Sequence, residues 1–478
     1  MPSFEIARLR DALVAIVGPE GVLSSAADLA VYECDGYTLE RAQPDVVVLP
    51  RSTREVAAVV RLAFDAGVPF VPRGAGTGLS GGCLPLEAKL MIGLSRMRQI
   101  RSIDVPNRRV VAEAGVVNAA VSRAVRGHGL QYVPDPSSQS ACTIGGNIAE
   151  NSGGPHTLKY GVTTNHLLGV ELVLPDGTVV ELGDAIEHTV GYDLTGVVCG
   201  AEGTVGIVTA ATLRLEPLPA AVTTMLSVHE TVADATAVVS DVIAAGIVPA
   251  ALEMMDRTIV EAVEAAFGFG FPTDAGAVLI IEVDGPAPGL AALTAQVTEI
   301  CRGHRARSLR VAADEAERAA LWKSRKRAFG AVGRLAPNYC TQDGVVPRTR
   351  LPEILSEIER IGARHRLRIG NVFHAGDGNI HPILLYDERD AAEVARVLEA
   401  GREILAACVR LGGSVTGEHG IGVEKMHELG LIFGPDDLAV MQQVRAVFDP
   451  DGRANPGKIF PTSGGCVERR TPARQAAL

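Results

Sequence analysis

Two histidines, a glutamate and a third histidine stand where metal and proton chemistry could be done. The first two lie in Asn371-Val-Phe-His374-Ala-Gly-Asp377-Gly378-Asn-Ile-His381-Pro382, the others in Gly413-Ser-Val-Thr-Gly-Glu418-His419-Gly420. Asp-Gly between apolar runs is a two-residue hairpin signal. With Asp377-Gly378 as the turn, His374 and His381 fall three residues from it on either strand, directly opposite, with Cβ atoms about 5 Å apart. Both imidazoles then reach one metal ion. Histidines so placed serve either as hydrogen-bonded structural residues or as metal ligands. The adjacent Glu418-His419 pair, framed by glycines, favours the metal. Two histidines and a carboxylate leave positions open for a substrate and suit Zn²⁺, Mn²⁺ or Fe²⁺.

A second kind of chemistry is written in Pro72-Arg73-Gly74-Ala75-Gly76-Thr77-Gly78-Leu79-Ser80-Gly81-Gly82. Five glycines in nine positions, directly after the apolar Val68-Pro69-Phe70-Val71, do not serve core packing. Such a cluster implies left-handed backbone or a backbone brought close to something else. Successive bare N–H groups form an anion nest, and phosphate is its usual guest. Gly76-Thr77-Gly78-Leu79-Ser80-Gly81 matches the G-x-G-x-x-G pattern of a Rossmann turn, which requires a helix to follow at once. Gly82-Cys83-Leu84-Pro85 holds no helix start, so the Rossmann reading fails and a diphosphate loop of another kind remains.

Two further stretches have the same character. Pro134 to Gly154 is rich in glycine, serine and asparagine, and its hydroxyls, amides and bare N–H groups suit a ligand bearing phosphate and heterocycle. Gly200-Ala-Glu-Gly-Thr-Val-Gly-Ile-Val-Thr209 is the third.

The elements that must hold these loops alternate strand and helix. Asp45–Pro50 reads as a buried strand, Ser52 or Thr53 caps a helix to Ala66, and Val68–Val71 is the next strand, so a βαβ unit delivers the first glycine loop. A helix is expected near Ala119–His128. Val170–Leu174 and Val179–Leu182 form a hairpin about Pro175-Asp176-Gly177. Pro217 and Pro219 mark a domain boundary. Beyond it, helices near Val232–Ala245 and Ala287–Arg302 alternate with strands near Ala277–Val283 and Arg305–Ala312, an α+β pattern. Asp314–Gly333 reads as one helix carrying Trp322, Lys323, Arg325, Lys326 and Arg327, and Ala391–Arg410 as an amphipathic helix. The domains expected are 1–218, 219–420 and a C-terminal segment 421–461, with 462–478 a disordered tail.

Composition narrows the partners. A net charge of −11 argues against nucleic acid or an anionic membrane as the main partner. Eight scattered cysteines without a C-x-x-C form neither a disulfide framework nor an iron–sulfur ligand set. No stretch has the core of a signal peptide or the length of a transmembrane helix, so a cytoplasmic protein is expected.

Taken together, Pro72–Pro85, Pro134–Gly161, Gly203–Thr209, Leu252–Asp256, Val372–Pro382, Thr416–Lys425 and Phe448–Lys458 resemble, in order, the FAD-dependent 2-hydroxy-acid dehydrogenases of the vanillyl-alcohol-oxidase type, and within them the glycolate oxidase branch. The resemblance runs from about Leu23 to Pro461. It implies a flavin-binding half of two α+β subdomains and a ferredoxin-like substrate domain. It implies that Arg73, Gly74, Ala75, Gly76, Thr77 and Gly78 hold the FAD diphosphate, with Pro72, Ser80 and Gly81 as further cofactor-binding residues. Pro134, Asp135, Ser138, Cys142, Gly145, Gly146, Asn147, Asn151 and Gly153 would hold the rest of the dinucleotide, with Glu202, Gly203, Ile207 and Asn455 as further flavin-side residues. His374, His381 and Glu418 match the family's metal ligands, His419 its catalytic base, and Arg325 an arginine that binds substrate carboxylate. The hydroxyglutarate branch adds a threonine four residues after that arginine, where this chain has Phe329, which weakens the long-diacid reading. Because Arg73 to Gly82 contains no histidine, non-covalent FAD is expected. Flavin-binding and iron–sulfur partner subunits near the respiratory membrane are implied by resemblance alone.

Overall fold

The computed structural model describes residues 3–183 and 191–461. The expected disordered tail, 462–478, lies outside the described residues.

Valine-rich runs with no polar alternation are buried on both faces, and this makes Val46–Val48 and Leu90–Gly93 the interior of a small sheet. Its order is Val22–Leu23, Val46–Val48, Leu90–Gly93, Phe70–Arg73. Both long neighbours run parallel to Leu90–Gly93. The crossover is the helix Thr53–Asp65, whose N-cap Ser52 accepts the Glu55 N–H and whose apolar stripe (Val56, Val59, Val60, Ala63) is buried. The strand after it begins at Phe70 rather than Val68, because its register with Leu90–Gly93 starts there. It ends at Arg73, so the first glycine loop leaves the end of a parallel strand. No helix follows the loop.

A second sheet is antiparallel, in the order Ile100–Asp104, Arg109–Glu113, Ile207–Arg214, Leu167–Val173, Val179–Gly183. The helices Asn118–Val125 and Ile144–Glu150 contribute Val121, Val125, Ile144 and Ile148 to its core. Thr143 caps the second of these by accepting the Gly146 N–H. That helix therefore starts inside the second glycine-rich stretch.

From Ala221 onward a larger sheet takes over, ordered Ser308–Val311, Ala221–His229, Ala277–Gly285, Ala251–Asp256, Arg368–His374, Asn379–Ile380, Gly344–Val345. Alternate residues of Ala277–Gly285 enter two cores: Leu279, Ile281 and Val283 face one, Val278 and Ile280 the other. The first core also holds Val238, Val242, Ile354, Ile358 and Ile404 from the helices Val232–Ala244, Leu351–His365 and Ala391–Arg410. Ile259 and Val263 of Arg257–Phe267 fill the second.

Two expectations need correction. Asp314–Gly333 is two helices, Glu315–Lys326 and Ala328–Val332. Arg327 breaks them at φ −97°, ψ 1°, its N–H turned to the Lys323 and Arg325 carbonyls, and the second helix swings away to bury Ala328, Ala331 and Val332. The Asp377-Gly378 turn spans four residues, not two: His374 pairs with Asn379, and Asn371 with Pro382. His381 is therefore diagonal to His374, one pleat further along, not directly opposite. A diagonal neighbour keeps the same face, so the two rings still meet.

The chain ends its described course by returning to the first sheet. After the helix Pro435–Phe448, Ala454 forms a parallel bridge with Phe70. The Phe70 N–H bonds the Arg453 carbonyl at 3.0 Å, and the Asn455 N–H bonds the Phe70 carbonyl at 2.8 Å.

Candidate active site

One cavity runs from the first glycine loop to the histidine cluster. Its wall includes Pro72 through Gly78, then Ser138, Cys142, Gly145, Gly146 and Asn147 of the second stretch, and Glu202, Gly203 and Ile207 of the third. The far end is lined by Arg325, His374, His381, Glu418 and His419. Residues scattered over the whole sequence are thus assembled on one surface.

Glycine permits the close approach. A Cβ at Gly74 would lie 2.7 Å from Thr143 Oγ1, joining the first two loops. At Gly76, with φ +70°, it would run into the Arg73 guanidinium, and at Gly203, φ +72°, into the Pro72 ring. Arg73 is itself buried; its Nη2 donates to the Cys34 carbonyl at 2.9 Å and its Nη1 to Cys83 Sγ at 3.4 Å.

Several of the expected cofactor residues stand behind the wall. Ser80 offers its carbonyl to the Val423 and Glu424 N–H groups, and Gly81, φ +77°, packs near Val423. The Pro134 carbonyl accepts from Asn118 Nδ2. Asp135 is tied to His156 at 3.0 Å and Lys326 at 3.6 Å. Asn151 caps the helix Ile144–Glu150 in the left-handed region, and a Cβ on Gly153 would lie 3.0 Å from Glu418 Oε2. Asn455, also left-handed, donates from Nδ2 to the Gly82 carbonyl at 2.8 Å and the Glu202 carbonyl at 2.6 Å.

At the far end, Glu418 Oε1 lies 3.1 Å from His374 Nε2 and 3.2 Å from His381 Nε2. Among the described residues these three form one group able to hold a metal ion; Asp343, His381 and His419 form another that shares His381. Burial opposes the charge on Glu418, yet His374 and His381 beside it hold its carboxyl well below the usual range. His381 Nδ1, buried without a hydrogen-bond partner, faces the other way, 3.8 Å from Asp343 Oδ1. Donor types, convergence and an oriented histidine all fit a divalent cation.

The orienting group is Glu253, which sequence reasoning passed over within Leu252-Glu-Met-Met-Asp256. Its Oε1 meets His374 Nδ1 at 2.7 Å and its Oε2 accepts Arg325 Nε at 2.6 Å. Arg325 is 1 % exposed, and both its Nη1 and Nη2 are buried without a partner. Two donors of a guanidinium fork therefore stand ready in the cavity wall.

His419 stacks on His381 with ring centroids 4.8 Å apart and planes 4° from parallel. Burial and the neighbouring His381 outweigh Asp343 and push its pKa down to about 4, so the ring is neutral near pH 7. Asp343 positions its loop. This fully buried carboxylate accepts N–H groups from Gly417 at 2.9 Å, Glu418 at 3.2 Å and His419 at 3.0 Å, and the Thr416 hydroxyl at 2.6 Å. Its one sequence signal was an aspartate inside the otherwise uncharged Thr341-Gln-Asp-Gly-Val345.

Residues 44–183 match the model of an FAD binding domain, and residues 218–459 that of FAD linked oxidases, C-terminal domain. The chain belongs to the FAD-linked oxidases. FAD is accordingly the cofactor, and the glycine-lined wall of the cavity, with its unpaired polar atoms, fits it. This member of the family is 44 % identical to the glycolate oxidase subunit GlcD of Escherichia coli (strain K12), over 94 % of this chain and 90 % of that one. It is 40 % identical to GlcD of Bacillus subtilis (strain 168), over 95 % and 96 %. A D-lactate dehydrogenase of Anaerostipes hadrus is 34 % identical over 88 % and 90 %. Among solved structures, 4-ethylphenol oxidase from Gulosibacter chungangensis superposes with a TM-score of 0.80 at 20 % identity, covering 96 % of this chain and 98 % of that one. For p-cresol methylhydroxylase the values are 0.78, 16 %, 96 % and 97 %. The α+β fold is that of the vanillyl-alcohol-oxidase type. Among the described residues no helix is long and apolar enough to cross a membrane.

Proposed function

We propose that this chain oxidises a small 2-hydroxy acid, glycolate first and D-lactate second, to the 2-oxo acid. The observation that carries the reading is Arg325: a buried guanidinium with two unpaired Nη groups, opening on the cavity that also holds His374, His381, Glu418 and His419. An α-hydroxycarboxylate offers what such a wall lacks. Its carboxylate takes the guanidinium fork, worth more to a planar bidentate donor than to any lysine. His419, neutral and buried, accepts the hydroxyl proton as C2 is oxidised. Glu253 keeps both Arg325 and His374 in place.

FAD when bound would supply the two-electron acceptor for C2, and His374, His381 and Glu418 would hold a divalent metal that would supply Lewis acidity at the hydroxyl. FAD is held non-covalently: the first glycine loop has no histidine, and burial pushes the nearby Cys83 thiol up to about 12, far from a reactive thiolate. Two relatives are named as subunits of a glycolate oxidase, which supports electron transfer onward to partner subunits; that these are flavin-binding and iron–sulfur proteins near the membrane rests on the family resemblance.

The testing experiment is a steady-state screen of glycolate, D-lactate, L-lactate and D-2-hydroxyglutarate with an artificial electron acceptor. Glycolate is expected to give the highest kcat/KM. Phe329 in the cavity wall counts against D-2-hydroxyglutarate, while Lys326 in the same wall is a second cation that makes the comparison worth running. No turnover with any of the four overturns the reading.

A further inference from the structure

Neither proton transfer nor carboxylate binding uses Glu150, although it lines the same cavity. It is the last residue of the helix Ile144–Glu150, and its carboxyl fills the gap between the first glycine loop and the loop after Glu418. A Cβ on Gly82 would lie 2.7 Å from Glu150 Oε1, and one on Gly420 would collide with Oε2. Gly420 adjoins His419, so this carboxyl sits beside the reacting end of the cavity. Its Oε2 is buried and has no hydrogen-bond partner.

A second carboxyl converges on the same place. The Gly82 Cβ would lie 3.5 Å from Glu202 Oε2, and the Gly420 Cβ 2.8 Å from Glu202 Oε1. Burial raises the Glu202 carboxyl as well, but unlike Glu150 it has donors that favour its anion: the Ile421 N–H at 2.7 Å and the Gly422 N–H at 2.8 Å, with Lys425 and Lys458 near. Two carboxyls so crowded do not both ionise, and the charge stays where the N–H donors are. The other charged or titratable groups facing Glu150 are Asp35, Cys83 and Lys425. Burial above all, then Glu202 and Asp35, drive the Glu150 carboxyl far above the usual range, and Lys425 opposes them.

We propose that Glu150 is a neutral carboxylic acid that donates a hydrogen bond to an acceptor atom of the FAD ring system, with ionised Glu202 behind it. The ring carries carbonyl oxygens and bare nitrogens, and these become more electron-rich when two electrons enter. A fixed donor at that wall therefore binds the reduced form better than the oxidised form, and sets the potential at which the enzyme works. The proposal rests on FAD binding alone and not on which acid is oxidised.

Apoprotein titration with FAD, and redox titration of the holoenzyme, test it with Glu150→Leu and Glu150→Gln. Loss of one buried donor corresponds to about a tenfold effect. Glu150→Leu should raise the FAD Kd about tenfold and, with the reduced form weakened about tenfold relative to the oxidised, lower the midpoint potential by about 30 mV. Glu150→Gln keeps a donor and no charge, and should return both values to within about threefold of wild type. If Glu150→Leu leaves both unchanged, Glu150 is only wall. If Glu150→Gln instead tightens FAD and raises the potential, wild-type Glu150 is an anion and the proposal is wrong. Should the leucine variant not fold, infrared spectra of wild type and Glu150→Gln decide: a carboxylic C=O band lost in the variant supports the proposal, and its absence in wild type overturns it. Glycolate turnover is assayed separately, so the fate of the substrate reading is read independently.

Discussion

Glu253 accepts the Arg325 Nε–H at 2.6 Å, and both side chains are 1 % exposed. The other Glu253 oxygen faces His374. One carboxylate thus aligns the group proposed to clamp the substrate and a group proposed to hold the metal. Glu253→Gln should weaken metal affinity about 10–100-fold, as loss of an orienting partner does, and lower kcat/KM at least as far. Metal analysis and steady-state kinetics check this, with the flavin spectrum expected to stay close to wild type.

Arg325→Lys tests the fork itself. A single ammonium does not bond Glu253 and present two parallel donors as well. We expect kcat/KM for glycolate to fall about 10²-fold, with FAD retained. A wild-type value would show that Arg325 does not meet the carboxylate.

His381→Ala and His419→Asn separate ligand from base. The first should remove the metal and most turnover. The second should keep the metal and slow flavin reduction by about 10²–10⁴-fold, measured by stopped flow. Metal loss in His419→Asn would make His419 a ligand, in keeping with the alternative cluster of Asp343, His381 and His419.

His156 gives a pH test away from the chemistry. Burial works against its charge, but Asp135 and Glu282 outweigh it and push its pKa up to about 10. Arg318 and Lys326 pair with those same carboxylates. The unfolded chain has a histidine pKa of about 6.5. A group whose folded pKa is raised contributes its full stability below the unfolded value and loses it as pH rises through the folded one. The gap in melting temperature between wild type and His156→Gln should be widest near pH 6 and shrink steadily toward pH 10. A gap that widens with pH would contradict it.

Gly76→Ala places a methyl group in left-handed backbone and against the Arg73 guanidinium. Strain of this kind is worth about 1–3 kcal/mol. FAD affinity should drop roughly tenfold or more, measured by fluorescence titration of the apoprotein.

Local signals were legible where one short segment carries the whole instruction. Ala391–Arg410 is marked by apolar residues at helical spacing and forms as a helix over that range. Ser52 before an amphipathic run places the start of Thr53–Asp65. The Asp377-Gly378 turn shows the limit: a dipeptide indicates a turn but does not choose between two residues and four, and the sheet neighbours of Arg368–His374 set the register. Ala251–Asp256 escaped because a central strand has no polar alternation to show. Glu150 and Glu253 lie in stretches the sequence does mark, and Asp343 in one it does not, but nothing local singles out the carboxylate in any of the three. Each acquires its role from partners tens to hundreds of residues away, which spacing along the chain does not encode.

The return of Ala454 and Asn455 to Phe70 and Gly82 has a consequence for biosynthesis. The carbonyls of Gly82 and Glu202 are bonded by a residue made more than 250 positions after the second of them. A chain still emerging from the ribosome can complete both early sheets and most of the larger one before the last of the bonds across the first glycine loop, those from Asn455, can form. A chain cut before residue 454 would keep the Val423 and Glu424 bonds to Ser80 but lose the Asn455 bonds that tie the Gly82 and Glu202 carbonyls together.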